Sequence, residues 1–282
     1  MNTLMSILYA LAYLLLAFGL MYIGKFIYQM FNPGINVKNE LVFKDNLAFA
    51  VAHTGYFIGL VLSLGGALIG ISHGFLKDML YMLGYGVMGI LLLNLSVVVN
   101  SQFILRKFSV KKEIILDQNV GTGVVEAALA ISTGLIIMAS LTAKGTTIYT
   151  ALSYWIIGIA ILIFTAFIYY WIMPYNVQEH IERDNVAVGI GFAGALIAMA
   201  NLIRFALSGE FVSWGETFKN LGIDVGVGLL FLPIARLLTD KILLPGQNLT
   251  DELINQQKPN VGAGIIEAFA YIAGSVIITW SL

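Results

Sequence analysis

The chain has 282 residues, of which 59% are hydrophobic and 11% charged, and its formal net charge is -1. A soluble domain carries about 25% charged residues, so there are too few here to coat a water-facing surface, and a mean hydropathy of +0.88 agrees. The balance of 15 Lys and Arg against 16 Asp and Glu argues against a nucleic-acid partner, and the lack of cysteine removes disulfides, thiolate metal sites and thiol nucleophiles.

A membrane-spanning helix needs about 20 mostly apolar residues. Eight windows qualify, at roughly 5–30, 47–71, 79–104, 120–143, 147–173, 186–208, 217–244 and 261–281. The first lacks the basic flank of a signal peptide, since Met1-Asn2-Thr3 precedes it, and it is too long for one, so uncleaved insertion is expected. The windows run past strand length with continuous rather than alternating hydrophobicity, which argues against a β-barrel. The expected fold is all-α: a polytopic membrane helix bundle of eight transmembrane helices.

Lys and Arg set the orientation. Loops after spans one, three, five and seven, with their flanking turns, hold eleven of them, from Lys25 and Lys38 to Lys241 and Lys258. The opposite side holds four: Lys77, Lys144, Arg204 and Lys219. The odd-numbered loops are therefore expected in the cytoplasm and both termini outside.

The chain is written twice, at a spacing near 140 residues. Glu40, Lys44-Asp45-Asn46 and Ala48 recur as Glu179, Arg183-Asp184-Asn185 and Ala187, and Gly55 recurs as Gly194. Leu83-Gly84 recurs as Leu221-Gly222, and Pro33 as Pro174. The strongest match sets Asn119-Val120-Gly121-Thr122-Gly123-Val124-Val125-Glu126-Ala127 against Asn260-Val261-Gly262-Ala263-Gly264-Ile265-Ile266-Glu267-Ala268. Each unit holds four spans, an even number, so the two four-helix repeats, 1–144 and 145–282, must insert in parallel.

At these residues the sequence resembles the YjfL-like family of bacterial membrane proteins, a group catalogued as a domain of unknown function. The resemblance rests on the basic-Asp-Asn-x-Ala start of the second span and the Asn-x-Gly-x-Gly-x-x-Glu-Ala start of the fourth, and covers the chain as two tandem copies. It implies a multi-pass protein of the bacterial inner membrane, with four helices per unit and no activity to borrow.

Spans two, four, six and eight each begin with Asp or Asn: Asp45-Asn46, Asp117 with Asn119, Asp184-Asn185 and Asn260. Capping of the first-turn amides accounts for them. The alternative is that four helix N-termini converge on an anion or lipid headgroup. Gly55/Gly59, Gly66/Gly70 and Gly222/Gly226 follow the small-xxx-small spacing of closely packed helices, and Gly121/Gly123 and Gly262/Gly264 sit near span starts.

Six ionisable residues fall inside spans, where they are costly and mark functional sites by default. They are His53, Glu126, Arg204, Asp224, Arg236 and Glu267. Glu126, Glu267 and His53 each lie seven residues after a cap, or about 10 Å deep at 1.5 Å per residue. Arg236 approaches the same depth from the end of span seven. These positions suggest a His53–Glu126 pair, able to titrate near neutrality, and a permanently charged Arg236–Glu267 clamp. Both pairs also fit a purely structural polar contact between helices. Arg204 and Asp224, toward the outer ends of spans six and seven, are expected to snorkel or to pair with each other.

No zinc-binding H-E-x-x-H, P-loop or nucleophile-elbow motif occurs, and His53, His73 and His180 are scattered. No enzyme, no catalytic residue, no metal and no cofactor is expected. The partners are the bilayer, a small ion or solute of unspecified identity, and anionic lipids at the basic cluster Arg106, Lys107, Lys111 and Lys112. Oligomer formation is left open. Two functions compete: a channel or ion/proton-coupled carrier using the buried carboxylates, and a non-transporting membrane-integrity or scaffold protein that recruits partners or anionic lipids.

Overall fold

A computed structural model describes residues 3–69, 74–143, 145, 147–244 and 246–282. His73, Lys144 and Gly70 from the sequence reading lie outside the described residues. The α-helices in chain order are α1 (Thr3–Phe31), α2 (Leu47–Leu68), α3 (Phe75–Phe103), α4 (Val110–Ile115), α5 (Val120–Thr142), α6 (Ile148–Ile172), α7 (Val177–Glu182), α8 (Val186–Leu207), α9 (Trp214–Leu238) and α10 (Val261–Ser281). Eight are long and apolar enough to cross a membrane, and they coincide with the eight windows. Among the described residues there is no strand.

Four of the spans, α2, α5, α8 and α10, stand side by side in that order. Glycine sets their spacing. A Cβ on Gly55 would lie 2.3 Å from the Ala127 backbone, and one on Gly59 would lie 2.3 Å from the Ala130 carbonyl. The second repeat makes the equivalent approach, with Gly194 at 2.4 Å from Ala268. Contacts advance in the same direction along both partners, so the row is parallel. Bare backbone on one helix receives bare backbone on the next, which maximises dispersion contact where lipid offers no hydrophobic drive.

The remaining spans cover this row. α3 lies across α2 and α5, α6 across α5 and α8, and α9 across α8 and α10, while α1 rests mainly on α3 at the periphery. One of the expected glycine pairs does not serve packing: Gly222 and Gly226 face open space. Of Gly262 and Gly264 only the second packs on a neighbour, where a Cβ would lie 2.4 Å from the Ala187 carbonyl.

Each row helix is preceded by a short helical lead-in: a π-helical turn at Asn39–Phe43 before α2, α4 before α5, α7 before α8, and a π-helical turn at Asp251–Asn255 before α10. The chain then reverses in one residue. Asp45, Gln118 and Asp184 make that reversal with φ of 49, 51 and 57°, a region Asp tolerates better than most side chains. Pro259 holds the fourth place and cannot adopt it, because its ring fixes φ near −65°.

Candidate functional site

The row helices open on asparagines whose carboxamide oxygens cap the first turn. Asn46 accepts from the Phe49 amide at 3.0 Å, Asn119 from Thr122 at 2.8 Å, Asn185 from Val188 at 3.0 Å and Asn260 from Ala263 at 3.2 Å. The carboxamide nitrogens reach outward. Asn46 donates to the Ile114 carbonyl at 2.8 Å, Asn119 to Ile181 at 2.7 Å and Asn185 to Leu253 at 2.8 Å. Each cap therefore ties its own helix to the lead-in of the next helix in the row. Asn260, at the end of the row, turns back to Glu252 at 2.7 Å. The Gly121 amide also donates to Asp184 at 3.1 Å. An anion at these N-termini would compete with side chains already in place, so capping is the use the structure makes of them.

Acidic partners of the caps lie in the lead-ins. Asn46 and Asn119 also donate to Glu40 at 3.0 Å and Glu113 at 2.9 Å. Burial pushes the Glu40 carboxyl up, but hydrogen bonds from Lys44 and Asn46 and the Lys44 charge outweigh it and hold the group below its ordinary value. The basic cluster is engaged within the chain. Lys107 reaches Asn176 at 3.4 Å, Lys111 the Pro33 carbonyl at 3.1 Å and Lys112 the Asp117 carboxylate at 2.8 Å, and Arg106 lies 5.2 Å from the Phe167 ring centroid.

In the second repeat the structure brings Arg236 and Glu267 together. Arg236 Nη1 donates to Glu267 Oε1, and Nη2 donates to Thr250 at 3.0 Å. The guanidinium carbon stands 5.7 Å from the Tyr175 ring centroid, and Tyr271 donates to the same carboxylate oxygen at 3.1 Å. Gly191 makes room, because a Cβ there would lie 2.3 Å from Glu267 Oε2. Tyr271 sits four residues after Glu267, on the same helix face, so its contact was readable from spacing. Thr250, Tyr175 and Gly191 carried no such signal.

The first repeat is built differently. Glu126 Oε2 is buried without a hydrogen-bond partner, and His53 Nδ1 is likewise unpartnered. The expected His53–Glu126 pair is not formed. His53 is boxed by aromatic rings instead, with Tyr28, Phe49 and Phe57 at centroid distances of 4.9, 5.1 and 4.8 Å. Glu126 faces a cavity of about 140 Å³ whose wall includes Tyr28, Ala52, Tyr56, Asn94 and Val98. Tyr28, Phe49 and Tyr56 both line this cavity and ring the imidazole, so His53 stands one side chain behind the wall. No motif or spacing in the sequence marks this cavity.

Arg204 and Asp224 are not paired either. Arg204 donates through Nε and Nη2 to Asn201 Oδ1, at 3.2 and 2.9 Å, on its own helix. Asp224 is buried on α9 and makes no ion pair with it. Asn94 inside α3 makes the interhelical hydrogen bond usual for a carboxamide in a span, donating to the Tyr56 hydroxyl of α2 at 2.9 Å, which in turn donates to the Gly24 carbonyl of α1 at 3.0 Å. Among the described residues no group of three or more His, Cys, Asp or Glu is placed to hold a metal ion.

Eight apolar helices, one parallel row drawn from both repeats and only a few charges inside the spans define a multi-pass integral membrane protein made of two tandem units. The chain belongs to the family described as Domain of Unknown Function (DUF350), whose model matches it twice, at residues 2–141 and 144–282. It is similar to the UPF0719 transmembrane protein of Aquifex aeolicus (strain VF5), 24% identical over 193 residues that cover 67% of this chain and 69% of that protein. It is also similar to the UPF0719 inner membrane protein YjfL of Escherichia coli (strain K12), 28% identical over 137 residues, 45% of this chain and 92% of that one. The latter relative is therefore about one repeat long. No solved structure matches.

Proposed function

We propose that the protein is a carrier or channel for a small cation or for protons in a bacterial inner membrane, with Glu126 in its path. The observation that carries this reading is Glu126, on the wall of a cavity of about 140 Å³, whose carboxylate oxygen Oε2 is buried without a hydrogen-bond partner and which has no charged partner among the described residues. An unpaired charge in such surroundings is costly, so the group must hold a proton or a counter-cation, and exchange of either is transport chemistry. The Escherichia coli relative, named as an inner membrane protein, supports the membrane assignment. The excess of Lys and Arg in the lead-in loops supports a cytoplasmic location for the cavity side and external termini.

Reconstituted vesicles loaded with a pH-sensitive dye test the proposal. The parent is expected to pass protons or a small cation, and Glu126→Gln to lose that flux while remaining folded. Equal flux through a well-folded Glu126→Gln protein would remove the chemistry from the proposal.

A further inference from the structure

We propose that the cavity beside Glu126 binds a small organic cation bearing N–H donors, of alkylguanidinium or alkylammonium type. This rests on the reading of Glu126 as a solute site and names the class of solute. The two repeats differ position by position around this carboxylate.

Glu267 corresponds to Glu126, and in the second repeat the space before this carboxylate is occupied from within. The Arg236 guanidinium reaches in from α9, gives one nitrogen to Glu267 and another to Thr250, and lies near the Tyr175 ring. The Tyr271 hydroxyl donates to the same oxygen, Oε1, while Oε2 packs against Gly191 without a hydrogen-bond partner. By the repeat alignment, Arg236 falls at Val97–Val98 of α3 and Tyr271 at Ala130 of α5. Both replacements are truncations, and Val97, Val98 and Ala130 all line the first-repeat cavity. The void thus opens where the second repeat keeps its own cation and its own phenol.

What remains around the void suits such a guest. Tyr28, at the repeat position of Tyr169, presents a ring on the wall, and Asn32, Asn94 and Ser101 add polar side chains. Ala52 stands where the second repeat has Gly191. Its methyl group occupies the recess that receives Glu267 Oε2 against α8, so Glu126 cannot withdraw in that way and is left facing the cavity. Lys111, also on the wall, has its ammonium directed to the Pro33 carbonyl at 3.1 Å rather than to Glu126. The size agrees as well. An apolar cavity of about 150 Å³ admits benzene, and methylguanidinium has fewer heavy atoms. A guest with N–H donors would give Glu126 the charge-assisted hydrogen bond that Arg236 gives Glu267 Oε1.

The test is ligand-dependent thermal unfolding of the full chain in detergent, followed by tryptophan fluorescence. Methylguanidinium and methylammonium are titrated at millimolar levels against sodium chloride of equal ionic strength. Tetramethylammonium, which has no N–H, is the third probe. A saturable rise in the unfolding temperature is expected for the first two probes and not for tetramethylammonium. The rise should vanish in Glu126→Gln and in Val98→Arg, where the first repeat receives the plug of the second. Arg236→Ala is the internal control: it should gain a second methylguanidinium response that depends on Glu267. No saturable response in the parent, or the same response in Glu126→Gln, overturns the proposal. The comparison with Glu126→Gln stands even if Val98→Arg fails to fold. Vesicle flux that needs Glu126 without any organic-cation response would overturn the ligand class and leave the transport reading intact. Methylguanidinium binding that needs Glu126 without flux would do the reverse.

Discussion

The two glutamates at the same repeat position have opposite electrostatic circumstances, and their substitutions should show it. Arg236→Met leaves Glu267, fully buried, without the ion pair it makes now. Loss of one partner from a buried pair costs about 3–5 kcal/mol, and Arg236→Met with Glu267→Gln should recover most of it. Glu126→Gln removes a carboxylate that has no such pair, so its unfolding free energy is expected to match the parent or exceed it. Denaturant unfolding of the four proteins in detergent checks both statements. Glu40 supplies a pH signature. Its folded pKa lies below the ordinary 4.5, so its contribution is complete above the unfolded value and is lost as pH falls through the folded one. Unfolding midpoints of the parent and Glu40→Gln should differ steadily near neutrality and converge as pH falls below the ordinary carboxylate range.

At the level of elements, the row depends on two devices, caps and bare backbone. Asn119 caps α5, bonds Glu113 and holds the Ile181 carbonyl ahead of α8, all in buried surroundings. Asn119→Ala is expected to cost about 2–4 kcal/mol, a cap plus stranded buried partners. Asn260→Ala, exposed at the end of the row, should cost about 1 kcal/mol. Thermal unfolding of the two variants side by side gives the difference. The glycines divide in the same way. Gly59→Ala would put a methyl 2.3 Å from the Ala130 carbonyl, and separating the helices should cost about 1–3 kcal/mol. Gly84→Ala meets open space and should be neutral or stabilising by up to about 1 kcal/mol, the helix-propensity gain. The glycine spacing in the sequence marked Gly55/Gly59 and Gly222/Gly226 alike, yet only the first pair faces a neighbouring backbone. A period along one helix does not say which side a neighbour takes.

For the whole molecule, the α5–α8 seam makes two repeats into one body. A Cβ on Gly189 would lie 2.7 Å from the Gly121 carbonyl, so Gly189→Leu should wedge the repeats apart. Scanning calorimetry is expected to resolve two transitions for that variant and one for the parent. A single unchanged transition would place the coupling elsewhere, for example at the Trp155–Ser96 hydrogen bond of 2.8 Å that joins α6 to α3.

The class of protein, the eight spans, the duplication and the helix caps were determined by the sequence alone. Apolar length, repeated motifs and capping residues are properties of the chain read in one dimension. Depth is such a property too, which is why Arg236 and Glu267 were matched correctly. Rotation about each helix axis is not, because every turn offers several faces and only packing selects among them. His53 lies as deep as Glu126 but turns into an aromatic box, and Arg204 bonds its own helix rather than Asp224. The cavity beside Glu126 belongs to the same category. It arises because Val98 and Ala130 are brought to one place by three packed helices, where the second repeat brings Arg236 and Tyr271.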